Sequence, residues 1–205
     1  MAGAAAVDAR KGLVGRVHPR SLTGVRVVAG ELRGRRIEAP RSDATRPTTD
    51  KVREAVFNAL GSLDVVDGAR VLDLFAGTGA MGIEALSRGA AHCTFVESDR
   101  AALEVLRANL RSLGLESRAT VVASDAVRAA SSVAGIDLLV ADPPYGFTDW
   151  SALLAGTGAS FAVLESGREI GPVDGWDTIR EKRYGRTHVA FLRPVDGGTG
   201  TVEGE

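Results

Sequence analysis

The chain has 205 residues, of which 44% are hydrophobic and 25% are charged, enough for one domain of ordinary size with small appendages. No window approaches the roughly 18 apolar residues of a membrane span, and the N-terminus lacks the apolar stretch of a secretory signal. The single cysteine, Cys93, excludes an internal disulfide, and the three scattered histidines offer no metal site. These features favour a cytoplasmic protein without a membrane anchor or a metal ion.

The charges are unevenly distributed although the net charge is only −1. Residues 10–53 contain twelve of the 25 Lys/Arg residues but only four of the 26 Asp/Glu residues. The rest of the chain therefore contains thirteen Lys/Arg and twenty-two Asp/Glu residues. A basic arm on an acidic body favours a polyanionic partner such as nucleic acid. An arginine-rich face in contact with solvent would have the same composition.

Residues 1–24 lack hydrophobic periodicity and predict a flexible leader. Two β-like runs, at 25–29 and 35–38, flank a glycine-bounded loop and predict a hairpin. A turn then leads, at Thr49 or Asp50, into a helix that we expect to end at Gly61. The arginines of the hairpin, Arg26, Arg33, Arg35 and Arg36, and Arg46 in the turn are candidates for binding phosphate groups.

Strands and helices alternate from residue 70 onward. The predicted strands are 71–74, 92–97, 120–123, 136–141 and 161–165, and the predicted helices are 79–88, 100–113, 126–132 and 150–154. A closing hairpin at 179–184 and 187–192 precedes a flexible tail at 195–205. This order predicts an α/β fold with a mostly parallel sheet and helices on both faces.

Glycines follow the first of these strands in the spacing G-x-G-x-x-G, at Gly77, Gly79 and Gly82. Glycine allows a tight turn and a close approach of ligand to backbone. Glu97 ends the next strand about 20 residues later, where a carboxylate can accept both hydroxyls of a ribose. The pattern fits a dinucleotide-binding Rossmann domain, and a structural turn would explain the loop alone.

Two acidic residues favour a different ligand. Asp73 stands beside the loop, where a carboxylate repels pyrophosphate but suits an amino group. S-adenosylmethionine has an α-amino group and a ribose but no phosphate. Asp125 follows the third strand, and it either contacts the adenine amine or caps the helix that begins at Ala126.

The sequence Asp142-Pro143-Pro144-Tyr145 follows the apolar run 138–141. Proline has no N–H to donate, so the strand must end here in a stiff turn. The exocyclic amine of a nucleobase is a poor nucleophile, and it needs acceptors on its hydrogens to attack a methyl donor. Asp142 and the Pro143 carbonyl can supply two acceptors, while Tyr145 can stack on the base. A stiff surface turn is the alternative interpretation.

Four stretches together resemble the RsmD family of bacterial 16S rRNA guanine-N2 methyltransferases, over residues 25–193. They are the hairpin at 25–36, the segment Thr45–Asn58, the loop region 71–90 and the turn Asp142–Tyr145. The resemblance implies a Rossmann-like class I S-adenosylmethionine-dependent methyltransferase with a seven-stranded sheet. It implies an RNA-binding hairpin at 25–45 and a methyltransferase domain at 46–194. Because family members begin near the position of Val25, we hypothesise that translation starts there.

The resemblance also implies the site and its partners. The implied substrate is 16S rRNA or an assembling small ribosomal subunit, and the target guanine is flipped into a pocket. We expect the protein to be a monomer. The predicted catalytic residues are Asp142, Pro143, Pro144 and Tyr145. The predicted cofactor-binding residues are Asp73, Phe75, Gly77, Gly79, Glu97, Ser98, Asp125 and Ala126.

Three alternative functions remain at this point. An adenine-N6 methyltransferase acting on DNA or RNA would use the same turn, but this chain has no room for a large target-recognition domain. A nicotinamide oxidoreductase would explain the glycine loop and leave Asp142–Tyr145 unexplained. A non-catalytic RNA-binding factor in ribosome assembly would need neither site.

Overall fold

The computed structural model describes residues 25–39 and 50–195. The strands are β1 (Val25–Arg26), β2 (Arg36–Ile37), β3 (Arg70–Leu74), β4 (His92–Glu97), β5 (Ala119–Ala123), β6 (Leu138–Ala141), β7 (Phe161–Ser166), β8 (Trp176–Tyr184) and β9 (Thr187–Pro194). The helices are α1 (Asp50–Ser62), α2 (Ala80–Ser87), α3 (Arg100–Leu113), α4 (Ala126–Ala130) and α5 (Trp150–Leu154). The predicted leader, Arg46 with its turn, and residues 196–205 of the predicted tail lie outside the described residues.

The main sheet has seven strands in the order β5-β4-β3-β6-β7-β9-β8. The first five strands are parallel, and β9 runs antiparallel to both β7 and β8. The strand order reverses between β3 and β6, which makes this boundary the topological switch point. The predicted Rossmann-like fold with a closing hairpin is therefore confirmed, as is the small N-terminal hairpin β1–β2.

Alternating side chains of the central strands supply two cores. In β6, Leu138 and Val140 enter one core, while Leu139 and Ala141 enter the other. The first core also receives apolar residues of the N-terminal hairpin and of α1, α2 and α3, and the second receives those of α4 and α5. Both faces of the sheet are thus covered, which explains why its central strands are continuously apolar.

Element boundaries differ from the sequence predictions at a few places. Helix α1 continues through Gly61 to Ser62, so the predicted stop at Gly61 is wrong. Helix α4 ends at Ala130, and the Ser132 hydroxyl donates to the carbonyl of Ala129 at 2.8 Å, which competes with a further helical turn. Strand β8 begins at Trp176, three residues before the predicted strand.

The N-terminal hairpin is bound to α2 by buried polar groups. The Glu84 carboxylate accepts from the backbone N–H groups of Val28 and Ala29 at 2.8 and 3.0 Å. A Cβ at Gly30 would lie 1.8 Å from the carbonyl oxygen of Ser87, so only glycine fits this contact. The hairpin is therefore part of the folded body. Within the described residues, no helix is long and apolar enough to cross a membrane.

Candidate active site at the carboxyl edge of the sheet

The predicted cofactor loop and the predicted catalytic turn begin side by side. Leu74, the last residue of β3, pairs with Ala141 of β6 and with Val96 of β4. The next residues on the three strands are Phe75, Asp142 and Glu97. Because neighbouring strands are about 4.8 Å apart, these residues leave the sheet as adjacent neighbours. The candidate site therefore lies at the switch point, where ligands bind in open α/β sheets.

Each glycine of the loop has a different physical requirement. Gly79 has a φ of +85° and is the N-cap of α2. A Cβ at Gly82 would lie 2.3 Å from Cε1 of Phe95 and 2.5 Å from Sγ of Cys93, so this glycine allows α2 to pack on the sheet. A Cβ at Gly77 would meet nothing closer than the Phe75 carbonyl oxygen at 3.9 Å. Gly77 thus leaves open space where a ligand can approach.

Asp73 is a buried carboxyl group next to this loop, with an exposed fraction of 3%. Its Oδ2 accepts from the backbone N–H of Gly82 at 2.8 Å. Burial raises the pKa of Asp73 to about 7, the Gly82 bond lowers it in part, and the nearby negative charges of Asp142 and Glu97 raise it further. An ammonium group bound in the loop would offset these effects, so the site suits a cationic ligand.

The Glu97 carboxylate holds the loop to the end of β4. Oε2 accepts from the N–H of Gly77 at 2.8 Å, and Oε1 accepts from the N–H groups of Ser98 and Asp99, both at 2.7 Å. A carboxylate has about four acceptor positions, so about one remains. This arrangement leaves an acceptor for one ribose hydroxyl rather than the two that the sequence suggested.

Three other predicted cofactor-binding residues lie farther along the same edge. Asp125 caps α4, because its Oδ1 accepts from the N–H of Arg128 at 3.0 Å. Ala126 is buried beneath that cap, and Ser98 is exposed after β4. The capping role of Asp125 is thus present, and its contact with an adenine remains a prediction.

The Asp142–Tyr145 turn presents its aromatic ring to solvent. Strand β6 is fully buried, Asp142 is half-buried, and Tyr145 has an exposed fraction of 73%. The Pro144 carbonyl accepts from the N–H of Phe147 at 3.3 Å, which closes the turn. A Cβ at Gly167 would lie 3.0 Å from Cδ1 of Tyr145, so the ring lies over the chain that leaves β7. A ring in this position can stack on a nucleobase.

An aromatic row missed by the sequence reasoning joins the loop to the turn. Phe147 makes edge-to-face contacts with Phe75, at 5.3 Å between ring centroids, and with Trp150, at 4.9 Å. Phe75 has a φ of +60°, an uncommon conformation for a non-glycine residue. The aromatic residues shortly after the prolines were the only sequence signal of this row.

Asn109 of α3 is a second residue that the sequence reasoning missed. Its Nδ2 donates to the carbonyl oxygens of Glu38 and Thr78 at 3.1 and 3.0 Å, and its Oδ1 accepts from the N–H of Glu38 at 2.9 Å. Asn109 therefore joins the end of the hairpin to the glycine loop. A polar residue in the apolar stripe of Leu106 and Leu110 was the available signal.

The four predicted RNA-binding arginines of the hairpin, Arg26, Arg33, Arg35 and Arg36, are exposed, but the hairpin tip lies away from the catalytic turn. Arg35 donates to the carbonyl of Ser112 at 2.9 Å, and the Glu31 N–H donates to the carbonyl of Ser87 at 2.8 Å. Ser87 and Ser112 are at the C-terminal ends of α2 and α3, and both helices begin at the carboxyl edge of the sheet. The hairpin tip therefore lies toward the opposite, amino edge. RNA binding by all five predicted arginines, with Arg46 outside the described residues, stays a prediction. Among the described residues, no group of carboxylates, histidines and cysteines is arranged to hold a metal ion.

Comparisons with known proteins agree with this architecture. Residues 25–193 match the family described as conserved hypothetical protein 95. A solved structure of the candidate methyltransferase yhhF from Escherichia coli superimposes with a TM-score of 0.73 at 35% identity, covering 83% of this chain and 98% of that one.

Two relatives carry names that mention ribosomal RNA. YlbH of Bacillus subtilis (strain 168), named as a candidate rRNA methyltransferase, is 40% identical over 183 residues, 82% of this chain and 98% of its own. The ribosomal RNA small subunit methyltransferase D of Escherichia coli (strain K12) is 44% identical over 122 residues, 59% of this chain and 60% of its own. With the family match over residues 25–193, these similarities show that the chain belongs to the RsmD family.

Proposed function

We propose that this protein is an S-adenosylmethionine-dependent methyltransferase that modifies the exocyclic N2 of one guanine in 16S rRNA. The observation that carries the proposal is the β3–β6 pairing, which starts the glycine loop and the Asp142–Tyr145 turn at neighbouring positions. A methyl donor bound in the glycine loop and a base bound at the Asp142–Tyr145 turn can then react directly. Such positioning supplies a large part of the rate enhancement in group transfer.

The residues of the loop suit the proposed cofactor. The buried Asp73 carboxyl lies next to the loop, where an α-amino group would offset its desolvation, Gly77 leaves space for close approach, and Glu97 has an acceptor for a ribose hydroxyl. When bound, S-adenosylmethionine supplies a methyl group activated by its sulfonium. Because the pKa of Asp73 is about 7 without ligand, binding of the cationic amino group should strengthen as the pH rises through 7.

The turn suits the exocyclic amine of a purine. Asp142 and the Pro143 carbonyl accept the two amine hydrogens and orient the nitrogen lone pair toward the methyl donor. Tyr145, exposed and supported by Gly167, stacks on the flipped base and fixes its plane. After transfer, the proton leaves to Asp142 or to water, so no strong base is needed beforehand. Orientation and electrostatic stabilisation are the main catalytic effects.

The names of the relatives support ribosomal RNA as the substrate. We propose that residues 25–45 contact the RNA, that residues 46–194 form the methyltransferase domain, and that the enzyme acts as a cytoplasmic monomer on 16S rRNA or an assembling small subunit. An adenine-N6 reaction would use the same acceptors. The buried Asp73 disfavours a pyrophosphate-containing nicotinamide cofactor.

Nucleoside mapping tests the proposed reaction. Small ribosomal subunits from cells lacking the protein are incubated with labelled S-adenosylmethionine and the enzyme, and the modified nucleoside is identified by mass spectrometry. We expect N2-methylguanosine at one position. Asp142→Ala should abolish transfer and leave cofactor binding largely intact, whereas Asp149→Ala, an exposed aspartate seven residues later, should remain active. Methyladenosine as the product, or an active Asp142→Ala variant, would contradict the assigned roles.

A further inference from the structure

The closing hairpin is a basic part of an otherwise acidic body. Residues 176–193 contain five Lys/Arg and two Asp/Glu residues. Residues 54–175, in contrast, contain eight Lys/Arg and sixteen Asp/Glu residues. Six consecutive residues of β8, from Thr178 to Arg183, are exposed, and so is Arg186 in the turn. This charge is separate from that of the N-terminal hairpin, whose tip lies toward the other edge of the sheet.

Strand register puts the turn of the closing hairpin at the same sheet edge as the catalytic turn, with β7 between β6 and the hairpin. Ser166, the last residue of β7, pairs with His188 of β9, and His188 pairs with Arg183 of β8. Since β7 runs parallel to β6, Arg183 and the turn containing Arg186 lie at the same sheet edge as Asp142.

Arg168 is a further arginine that lies directly against the catalytic turn. It follows β7 by two residues, and its Nη2 donates to the carbonyl of Gly146, the residue after Tyr145, at 3.1 Å. The ring of Tyr145 in turn lies over Gly167. The exposed Arg168 guanidinium therefore lies beside the aromatic ring, at the sheet edge where the hairpin turn also lies.

We propose that Arg168, Arg183 and Arg186 form a phosphate-binding surface, here called the terminal basic surface, which holds the RNA strand next to the flipped base. This inference rests on the proposed function and adds a second RNA contact to it. An unstacked nucleotide stays in place only if the backbone beside it is fixed, and guanidinium groups bind phosphate oxygens bidentately. The N-terminal hairpin tip lies near the opposite edge, whereas the terminal basic surface adjoins the turn.

Protection of an edge strand is the competing explanation for this charge. Charged residues and bulges on edge strands prevent pairing with other chains, and β8 has both, with a bulge between Thr178 and Arg180. This explanation accounts for Arg180, Lys182 and Arg183 within the strand. It does not require Arg186 in the hairpin turn or Arg168 after β7.

Removal of two positive charges from the end of the closing hairpin tests the inference. We call this double substitution the turn variant. The variant Arg183→Ala/Arg186→Ala is compared with Arg107→Ala/Arg193→Ala, which removes two exposed arginines from α3 and from the far end of β9. Binding to purified 16S rRNA is measured over a range of salt concentrations, together with kcat, KM and S-adenosylmethionine affinity. Thermal unfolding confirms that both variants are folded.

We expect the turn variant to bind RNA about tenfold more weakly at 0.1 M salt and to reduce the slope of log K against log salt by roughly 1.4 to 1.8, the value for two phosphate contacts. Its KM should rise, while kcat and S-adenosylmethionine affinity stay near wild type. A slope equal to that of the control variant would overturn the inference and leave the proposed function intact. If the wild type binds RNA through this surface but transfers no methyl group, the proposed function is wrong, whereas the inference that the surface binds RNA is supported.

Discussion

Replacement of Glu84 by glutamine should greatly reduce the stability of the fold. Both oxygens of this fully buried carboxylate are used. Oε1 binds Nε of Arg88 at 2.7 Å and the N–H of Ala29, and Oε2 lies 3.5 Å from Nε of the fully buried Arg53 and accepts from Val28. Glutamine keeps the shape but removes the negative charge, which leaves the buried guanidinium of Arg53 with only the exposed carboxylate of Asp50, 3.0 Å from its Nη2, as a counter-ion.

The size of this effect follows from the burial of both partners. Breaking a buried ion pair by removing one partner costs roughly 3–5 kcal/mol, because the remaining charge stays desolvated. The total free energy of unfolding of a domain is about 5–15 kcal/mol. A domain of this size loses about 2–4 °C of melting temperature per kcal/mol, so we expect a decrease of roughly 6–20 °C.

Urea unfolding followed by far-UV circular dichroism measures the change in free energy. The matched control is Glu104→Gln, which breaks an ion pair with Arg100 on the solvent-exposed side of α3 and should cause little measurable change. A lower midpoint at an unchanged m-value would show lost stability rather than an altered unfolded state. If Glu84→Gln is no less stable than Glu104→Gln, the reasoning about the buried carboxylate is refuted.

Three further predictions concern the loop and its attachments. Because the pKa of Asp73 is raised from 3.8 to about 7, the unliganded folded state binds a proton that the unfolded chain has released, so the free energy of unfolding should fall as the pH rises through this window. Urea midpoints measured between about pH 4 and 7 should therefore decrease in the wild type but not in Asp73→Asn. If they still decrease in the variant, Asp73 is not the group responsible. Gly82→Ala should lower the melting temperature markedly because its Cβ would collide with Phe95 and Cys93. Gly77→Ala has no such collision but places a side chain at a φ of +53°, so it should cost only about 1 kcal/mol of stability while weakening S-adenosylmethionine binding in calorimetry. Equal effects of the two alanines on stability would argue against different roles for the two glycines. Asn109→Leu should destabilise the hairpin and increase hydrogen exchange at Glu38, because three hydrogen bonds are lost; unchanged exchange would show that the hairpin is held by its other contacts.

Local sequence features determined the order of elements and the ends of the strands. The prolines after Ala141 cannot extend a ladder, Gly114 ends α3 in the left-handed conformation, and Asp99 caps the start of that helix. Each of these effects acts within a few residues and can be inferred without knowing the fold. The glycine loop and the Asp142–Tyr145 turn were found for the same reason.

The contacts that hold and tune the site depend on residues far apart in the chain. Glu84 binds backbone groups 55 and 56 residues away, and Asn109 contacts Glu38 across 71 residues. Strand register decides that Arg183 lies at the same sheet edge as Asp142. Sequence identifies Asp73 as an acid, but only burial under α2 gives it a pKa of about 7, because desolvation penalises its charged form. The sequence by itself therefore determined the fold class, the loop and the turn. Tertiary packing decided which polar groups became buried and which arginines lie at the catalytic edge, because burial and long-range pairing exist only in the folded chain.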